Sequence, residues 1–272
     1  MQWKAANVAI TGAASGIGRA LAQALAPRGA NLWLSDIDED AVDRVAHELG
    51  GGARAFRLDV VDADAVRAHV ETIVAEGGHI DGIFNNAGIG VGGDALDLEV
   101  AHYDRCIDVN IRGVVNGVVA AYPHMAARRS GLIVNTASAA GLLPVPLMAP
   151  YALTKHAVVG FSESLRTEAA VHGVQVSALC PTAIETPLLD KPIADGDGIW
   201  RPDIRAYLTK VGGPPYPVDR FVANAIRRIE KGKGIIVEPF GARVRIILAR
   251  LMPGVVVRIG RKAFLEELAN KP

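Results

Sequence analysis

The chain has 272 residues, half of them hydrophobic, enough for a sizeable core in one large domain or two small ones. Lysine and arginine balance aspartate and glutamate, 29 against 29, so no global basic field points to nucleic acid. Cys106 and Cys180 supply neither a disulfide framework nor a metal cluster, no apolar run approaches the roughly 18 residues of a membrane span, and the first strand starts by Asn7, without room for a signal peptide, so a soluble cytoplasmic protein is expected.

Residues 7–11 read as a strand, and Gly12-Ala13-Ala14-Ser15-Gly16-Ile17-Gly18 follows it before a helical stretch at 19–28. A second strand at 31–35 ends at Asp36, and helical periodicity then runs through Ala41, Val42, Val45 and Leu49. Residues 53–58 form a third strand ending at Asp59, residues 62–76 a helix, and 80–84 a fourth strand running into Asn85-Asn86-Ala87-Gly88. Leu132-Ile133-Val134 and Val174 to Leu179 read as further buried strands, the latter ending near Cys180, a core position. Strands alternating with helices at this spacing predict a parallel α/β sheet with right-handed crossovers.

The glycine loop points to a dinucleotide. Backbone must approach a pyrophosphate closely, which excludes a Cβ, and the next helix offers unpaired N–H groups at its start. Asp36 lies eighteen residues past Gly18, where a carboxylate bonds a ribose 2′-hydroxyl and repels a 2′-phosphate. Ile37 follows, with no Arg or Lys nearby to take a phosphate, so NAD is expected rather than NADP. Asp36 as a mere helix cap is the competing reading.

Further on stands Tyr151-Ala152-Leu153-Thr154-Lys155, with Ser138 thirteen positions upstream. Residues four apart share a helix face, so Tyr151 and Lys155 point the same way. A phenol titrates at about 10 in water. A neighbouring ammonium lowers that value and makes the group a proton donor and acceptor near neutral pH. Ser138 would lie at the carboxyl end of a strand, where open α/β sheets bind ligands. Such a spacing also arises by chance on exposed helices, and its weight comes from its company upstream.

Together, Thr11-Gly12-x-x-x-Gly16-Ile17-Gly18, Asn85-Asn86-Ala87-Gly88, Asn110, Ser138 and Tyr151-x-x-x-Lys155 resemble the motif series of the short-chain dehydrogenase/reductase family, in its order and spacing, over residues 5 to about 238. The resemblance implies one doubly wound Rossmann-type domain with a seven-stranded parallel sheet over residues 1–240, and NAD as cofactor. It implies that Ser138, Tyr151, Lys155 and Asn110 are catalytic, with Asn110 inside a long helix starting near Asp104 and holding a water joined to Lys155. It implies cofactor contacts from Gly12, Ser15, Gly16, Ile17, Gly18, Asp36, Asp59, the backbone of Val60, Asn86, Ala87, Gly88, Tyr151, Lys155, Pro181, Ile184 and Thr186. Where relatives have Pro-Gly after the sixth strand, this chain has Pro181-Thr182, so Thr182 is expected to meet a backbone geometry often given to glycine. A homodimer or homotetramer through helices at about 104–128 and 150–172 is also implied.

Residues 181–217 hold seven of the fifteen prolines, with Gly196, Gly198, Gly212 and Gly213, a composition suited to an irregular lid; by resemblance it is the substrate loop. Leu188, Leu189, Trp200, Tyr207 and the stretch 142–148 are apolar, which predicts a bulky, hydrophobic, steroid-like or aromatic alcohol or ketone as substrate. A catalytically idle NAD-binding sensor or interaction protein on the same fold is the rival reading. Residues 241–272 lie beyond the family pattern. Between 227 and 262 stand ten Lys/Arg and two acids, and 241–252 fits a short helix with Val244, Ile247, Leu248 and Leu251 on one stripe. Such a basic amphipathic segment lies on an anionic membrane surface, or covers the substrate mouth or a partner subunit with its stripe.

Overall fold

The computed structural model describes residues 2–190 and 200–271. Gly196 and Gly198 of the expected substrate loop lie outside the described residues.

Seven strands form one parallel sheet in the order β3-β2-β1-β4-β5-β6-β7. They are β1 (Asn7–Thr11), β2 (Asn31–Asp36), β3 (Arg54–Arg57), β4 (Gly82–Asn85), β5 (Gly131–Thr136), β6 (Val174–Pro181) and β7 (Ile235–Glu238). The strand order reverses between β1 and β4, and a crevice outside the carboxyl ends of the strands is the ligand position in such sheets. The expected α/β doubly wound fold is therefore present.

Side-chain alternation explains why the sheet needs two helical layers. Val8 and Ile10 of β1, Leu32 and Leu34 of β2, and Leu132 and Val134 of β5 enter one core with α1 (Gly16–Leu25), α2 (Glu39–Leu49) and α8 (Val218–Glu230). Ala9, Trp33 and Ile133 point the other way, into a core with α3 (Ala63–Gly77), α5 (Gly113–Arg128) and α6 (Ala149–Val171). Strands apolar on both faces are what a sheet covered on both sides requires. Fully burying one such aliphatic side chain contributes roughly 1.5–3 kcal/mol.

One polar thread crosses the second core. Asn85 Nδ2 donates to Asn135 Oδ1 at 2.9 Å, and Asn135 Nδ2 donates to Ser162 Oγ at 3.0 Å. It ties β4 and β5 to α6, the helix that carries Tyr151 and Lys155. Gly117 of α5 leaves room for it, because a Cβ there would stand 1.9 Å from Asn85 Oδ1.

Two expectations need correction. The long helix begins at α4 (Val100–Ile107), not near Asp104, and a π-helical turn, Asp108–Arg112, joins it to α5. Asn110 sits in that turn rather than in a regular helix; such turns insert one extra residue and concentrate at functional sites. Thr182 takes no left-handed backbone: among the described residues, Ala5, Arg129 and Leu147 are those other than glycine with positive φ. Its N–H donates to Glu238 O at 3.4 Å. The stripe of Val244, Ile247, Leu248 and Leu251 is exposed in the single chain and does not pack over its substrate mouth. In α9 (Phe240–Leu251) it is Ala242 and Ile246 that turn inward, against Val237 and Cys180.

The chain then turns at Pro253 into α10 (Pro253–Leu268), whose Ala263 and Phe264 join a cluster with Leu147, Met148, Tyr151, Ile204 and Tyr207. α10 also packs on α7 (Ile204–Gly212). Lys271 closes this end, with ion pairs to Asp94 at 3.1 Å and Asp97 at 2.8 Å. None of the described helices is long and apolar enough to cross a membrane.

Candidate active site

The glycine turn begins where β1 ends. Thr11 Oγ1 accepts from the N–H groups of Asn86 and Ala87, both at 3.0 Å, so the turn and the end of β4 are stitched together. Asn86 completes the stitch: its Nδ2 donates to Thr11 O and Gly12 O, and its Oδ1 accepts from Thr136 Oγ1 at 3.2 Å. Gly12 has φ +64°, and a Cβ on it would stand 2.8 Å from Ala87 Cα. Gly18 is tighter, its Cβ position lying 2.1 Å from Gly12 O, so it serves the packing of α1 on the turn.

Around this turn the other expected cofactor residues gather. Ser15 caps α1 with extended backbone, and its side chain makes no capping bond. Asp36 Oδ2 accepts from Ala14 N at 3.0 Å and its Oδ1 from Asp38 N at 3.2 Å, so the carboxylate is drawn up to the glycine turn instead of capping α2, a task that Asp38 performs. Asp59 is exposed and accepts from Val61 N, while Val60 is buried and its carbonyl accepts from Asn116 Nδ2 at 2.9 Å. Thr186 reaches over from the loop after β6: a Cβ on Gly16 would be 3.4 Å from its side chain. Ile184, buried just before, bridges to Tyr216.

Ser138 follows β5 and heads a short 3-10 turn, Ala139–Gly141; its Oγ accepts from Ala140 N at 3.1 Å and is 3.5 Å from Pro181 O. Tyr151 and Lys155 lie one turn apart on α6. Ser138 lies near enough to the Tyr151 phenol to pull its pKa down. Lys155 is 3 % exposed, donates to Thr136 O at 2.9 Å, and lies 5.5 Å from the centroid of the Tyr151 ring. Gly141 lets α6 approach this closely, because a Cβ there would be 2.4 Å from Lys155 O.

The electrostatics differ from the expectation that Lys155 lowers the Tyr151 pKa. Desolvation pushes the Tyr151 phenol up to about 12, with nearby Ser138 opposing it. Burial drives the Lys155 ammonium down to about 8. The lysine's charge is directed at the Thr136 carbonyl, and low solvent access costs both ionised forms.

Asn110 is fully buried. Its Oδ1 accepts from Ile89 N at 2.9 Å, and its Nδ2 donates to Ile89 O at 2.9 Å and Thr154 Oγ1 at 3.1 Å. The side chain thus holds the loop after β4 to α6. Gly88 stands between it and Lys155, its Cβ position being 3.1 Å from Asn110 Oδ1 and 3.4 Å from Lys155 Nζ.

Several residues of this site were not singled out from the sequence. Thr136 serves through its carbonyl and hydroxyl. Thr154, inside the Tyr-x-x-x-Lys segment, donates to Tyr151 O at 2.8 Å while receiving Asn110. Leu147 adopts φ +65°, in the sparsely populated left-handed region, and its carbonyl accepts from Gly93 N at 2.8 Å, which sets the entry into α6. Arg205 of α7 grips Glu185 at 2.7 and 2.9 Å and Asp190 at 2.6 and 2.8 Å, on either side of residues 186–189. Thr154 could be found by its position one turn from Tyr151; the others depend on contacts remote in sequence.

The short chain dehydrogenase family model matches residues 6–195. SadH of Mycobacterium tuberculosis, which carries the name of an oxidoreductase, is 43% identical over 194 residues, covering 69% of this chain and 70% of its own. The 2,5-dichloro-2,5-cyclohexadiene-1,4-diol dehydrogenase of Sphingobium indicum is 35% identical over 217 residues, 79% of this chain and 83% of that protein. A solved short chain dehydrogenase/reductase from Burkholderia phymatum, in complex with NAD, superposes with a TM-score of 0.84 at 29% identity, covering 94% of this chain and 96% of that one. This chain belongs to the short-chain dehydrogenase/reductase family of oxidoreductases.

Proposed function

We propose that the protein is an NAD-dependent oxidoreductase that interconverts a secondary alcohol and a ketone on a bulky hydrophobic substrate. The observation that carries the reading is the convergence of Ser138, Tyr151 and a buried Lys155, whose Nζ lies 5.5 Å from the Tyr151 ring, at the carboxyl edge of the sheet.

The glycine turn suits a dinucleotide. Gly12 lies too close to Ala87 to carry a Cβ, and the Ser15 hydroxyl makes no capping bond at the start of α1. In this reading Gly12, Ser15, Gly16, Ile17 and Gly18 hold the pyrophosphate. Asp36 holds the adenosine ribose and disfavours a 2′-phosphate. Asp59 and Val60 flank the adenine; Asn86, Ala87, Gly88, Pro181, Ile184 and Thr186 line the nicotinamide end. When bound, NAD supplies hydride chemistry: two electrons and one hydrogen move between its nicotinamide and the carbinol carbon.

The chain's own residues handle the proton. Tyr151 Oη takes the hydroxyl proton of the alcohol, or gives one to the carbonyl oxygen in the reverse direction. Ser138 Oγ bonds the same oxygen and stabilises the charge that develops on it. Lys155 bonds the nicotinamide ribose, held in place by its bond to Thr136 O. Asn110 leads the proton onward through a water joined to Lys155, a reading supported by the position of both residues around Gly88.

The apolar cluster of Leu147, Met148, Ile204 and Tyr207, against which Tyr151 and Trp200 pack, supports a hydrophobic substrate. Most of its members are core, so Trp200 and Leu188 are the better candidates for contact. The domain runs from 1 to 240 with 241–272 as an extension, the protein works in the cytoplasm, and α5 and α6 pair with a second copy. Exposed Val119 and Leu153 on those helices support the pairing, and light scattering that gave a monomer at micromolar concentration would refute it.

The test is NADH formation over a panel of secondary alcohols, from small aliphatic to steroid-like and aromatic. Turnover of the bulky members with NAD is expected. NAD binding with no turnover across the panel would refute the enzymatic reading.

A further inference from the structure

The C-terminal helices leave an apolar surface with no described side chain over it. On α9, Phe240, Val244, Ile247 and Leu251 recur at a helical spacing that keeps them on one side, and they are 66%, 45%, 58% and 74% exposed. Met252, Val255 and Ile259 continue the exposed apolar series into α10. Single exposed apolar residues are ordinary, but a contiguous row on one helix marks a contact surface.

Its charge selects among the contacts. Arg243 and Arg250 lie on one flank of the α9 stripe, with the Arg243 guanidinium 5.8 Å from the centroid of Phe240. Arg258, Arg261 and Lys262 are exposed on α10. α9 contains no carboxylate; α10 carries two in its last turn, Glu266, paired with Lys210, and the half-buried Glu267. A second copy docked on the α9 stripe by a two-fold axis would bring Arg243 and Arg250 together with no carboxylate on α9 to meet them. An anionic bilayer offers both what the stripe and what its flanks need: acyl-chain boundary for Phe240, Ile247 and Leu251, and phosphate for the guanidinium groups.

We propose that α9 and α10 dock this protein reversibly on an anionic membrane surface, with the stripe from Phe240 to Leu251 lying in the headgroup boundary. The inner side of α10, through Ala263 and Phe264, packs on the cluster that Tyr151 joins. Docking would therefore set the site beneath a lipid surface, which suits an apolar substrate that partitions there. The docking itself does not rest on the catalytic reading.

Vesicle co-sedimentation of the full chain tests it, with phosphatidylcholine alone and phosphatidylcholine mixed with phosphatidylglycerol. Binding to the mixed vesicles and not to the neutral ones is expected, weakening as salt is added. Ile247→Ser/Leu251→Ser and Arg243→Glu/Arg250→Glu should each reduce that binding by at least about tenfold. The melting temperature of each variant, followed by circular dichroism, should match the parent, because the replaced side chains lie at the surface. Absence of binding by the parent, or equal binding by both variants, would overturn the proposal. So would a smaller assembly for Ile247→Ser/Leu251→Ser in lipid-free light scattering, which would assign the stripe to a second copy.

Discussion

Lys155 Nζ donates to the carbonyl oxygen of Thr136 at 2.9 Å, which ties the first turns of α6 to the end of β5. The ammonium is buried with that carbonyl as its one described hydrogen-bond partner, and burial brings its pKa down to about 8. Removing a poorly compensated buried charge while keeping the side-chain volume is often neutral or stabilising. Lys155→Met is therefore expected to fold with a melting temperature no lower than the parent's, while turnover falls by at least about 100-fold. A folded variant with parental turnover would remove Lys155 from the mechanism.

Asp36 is expected to govern cofactor choice. Its carboxylate is already at the glycine turn through Ala14 N, so Asp36→Ala loses that bond as well as the ribose contact. The KM for NAD should rise by about tenfold or more, and use of NADP should improve as the repulsion of a 2′-phosphate disappears. Steady-state kinetics with both cofactors check this. A parent enzyme that prefers NADP would contradict it.

Arg205 is expected to control substrate affinity more than chemistry. It holds Glu185 and Asp190 on both sides of the segment that brings Thr186 to Gly16. Arg205→Ala should raise the substrate KM several-fold with kcat nearly kept. The pH dependence follows from the direction of the shifts. Hydrogen bonds to Arg205 hold both carboxyl groups below their ordinary values. Their contribution is present above the usual carboxylate range and is lost as the pH falls through the lowered values. The KM should thus be insensitive to these two groups above about pH 5. A parental KM in Arg205→Ala would contradict the clamp.

The glycine turn, the strands, Ser138 and the Tyr151–Lys155 pair were legible because each rests on local spacing: close backbone approach, period-two burial, one helical turn. Asp36 was legible by its distance from Gly18. The direction of the Tyr151 pKa was not, because desolvation depends on what packs around the phenol, and that comes from α7 and α10 as well as α6. The stripe on α9 was read correctly as a stripe, but periodicity does not say which side meets the sheet. Ala242 and Ile246 pack against Val237 and Cys180, which leaves Val244, Ile247, Leu248 and Leu251 on the outer side of α9. The tie from Asn110 to Thr154 joins residues 44 apart, beyond any local pattern.

In the protein without cofactor, the Tyr151 phenol should ionise above free tyrosine, since desolvation outweighs the lowering effect of nearby Ser138. Ultraviolet difference titration of the parent against Tyr151→Phe should show no contribution from Tyr151 at about pH 10, where free tyrosine is half ionised. A Tyr151 ionisation near neutral pH in the free protein would contradict the burial argument.

The central claim is that Tyr151 carries the proton in an NAD-dependent reaction. The most direct measurement pairs turnover with cofactor binding in Tyr151→Phe, using whichever alcohol of the panel is oxidised fastest and NADH fluorescence for binding. The ring remains to pack beside Lys155, but the hydroxyl is gone. Turnover is predicted to fall by at least about 1,000-fold, with the NADH dissociation constant within about threefold of the parent's. A variant that retained more than about a hundredth of parental turnover, beyond the contribution of a general acid–base, would assign the proton transfer to another group.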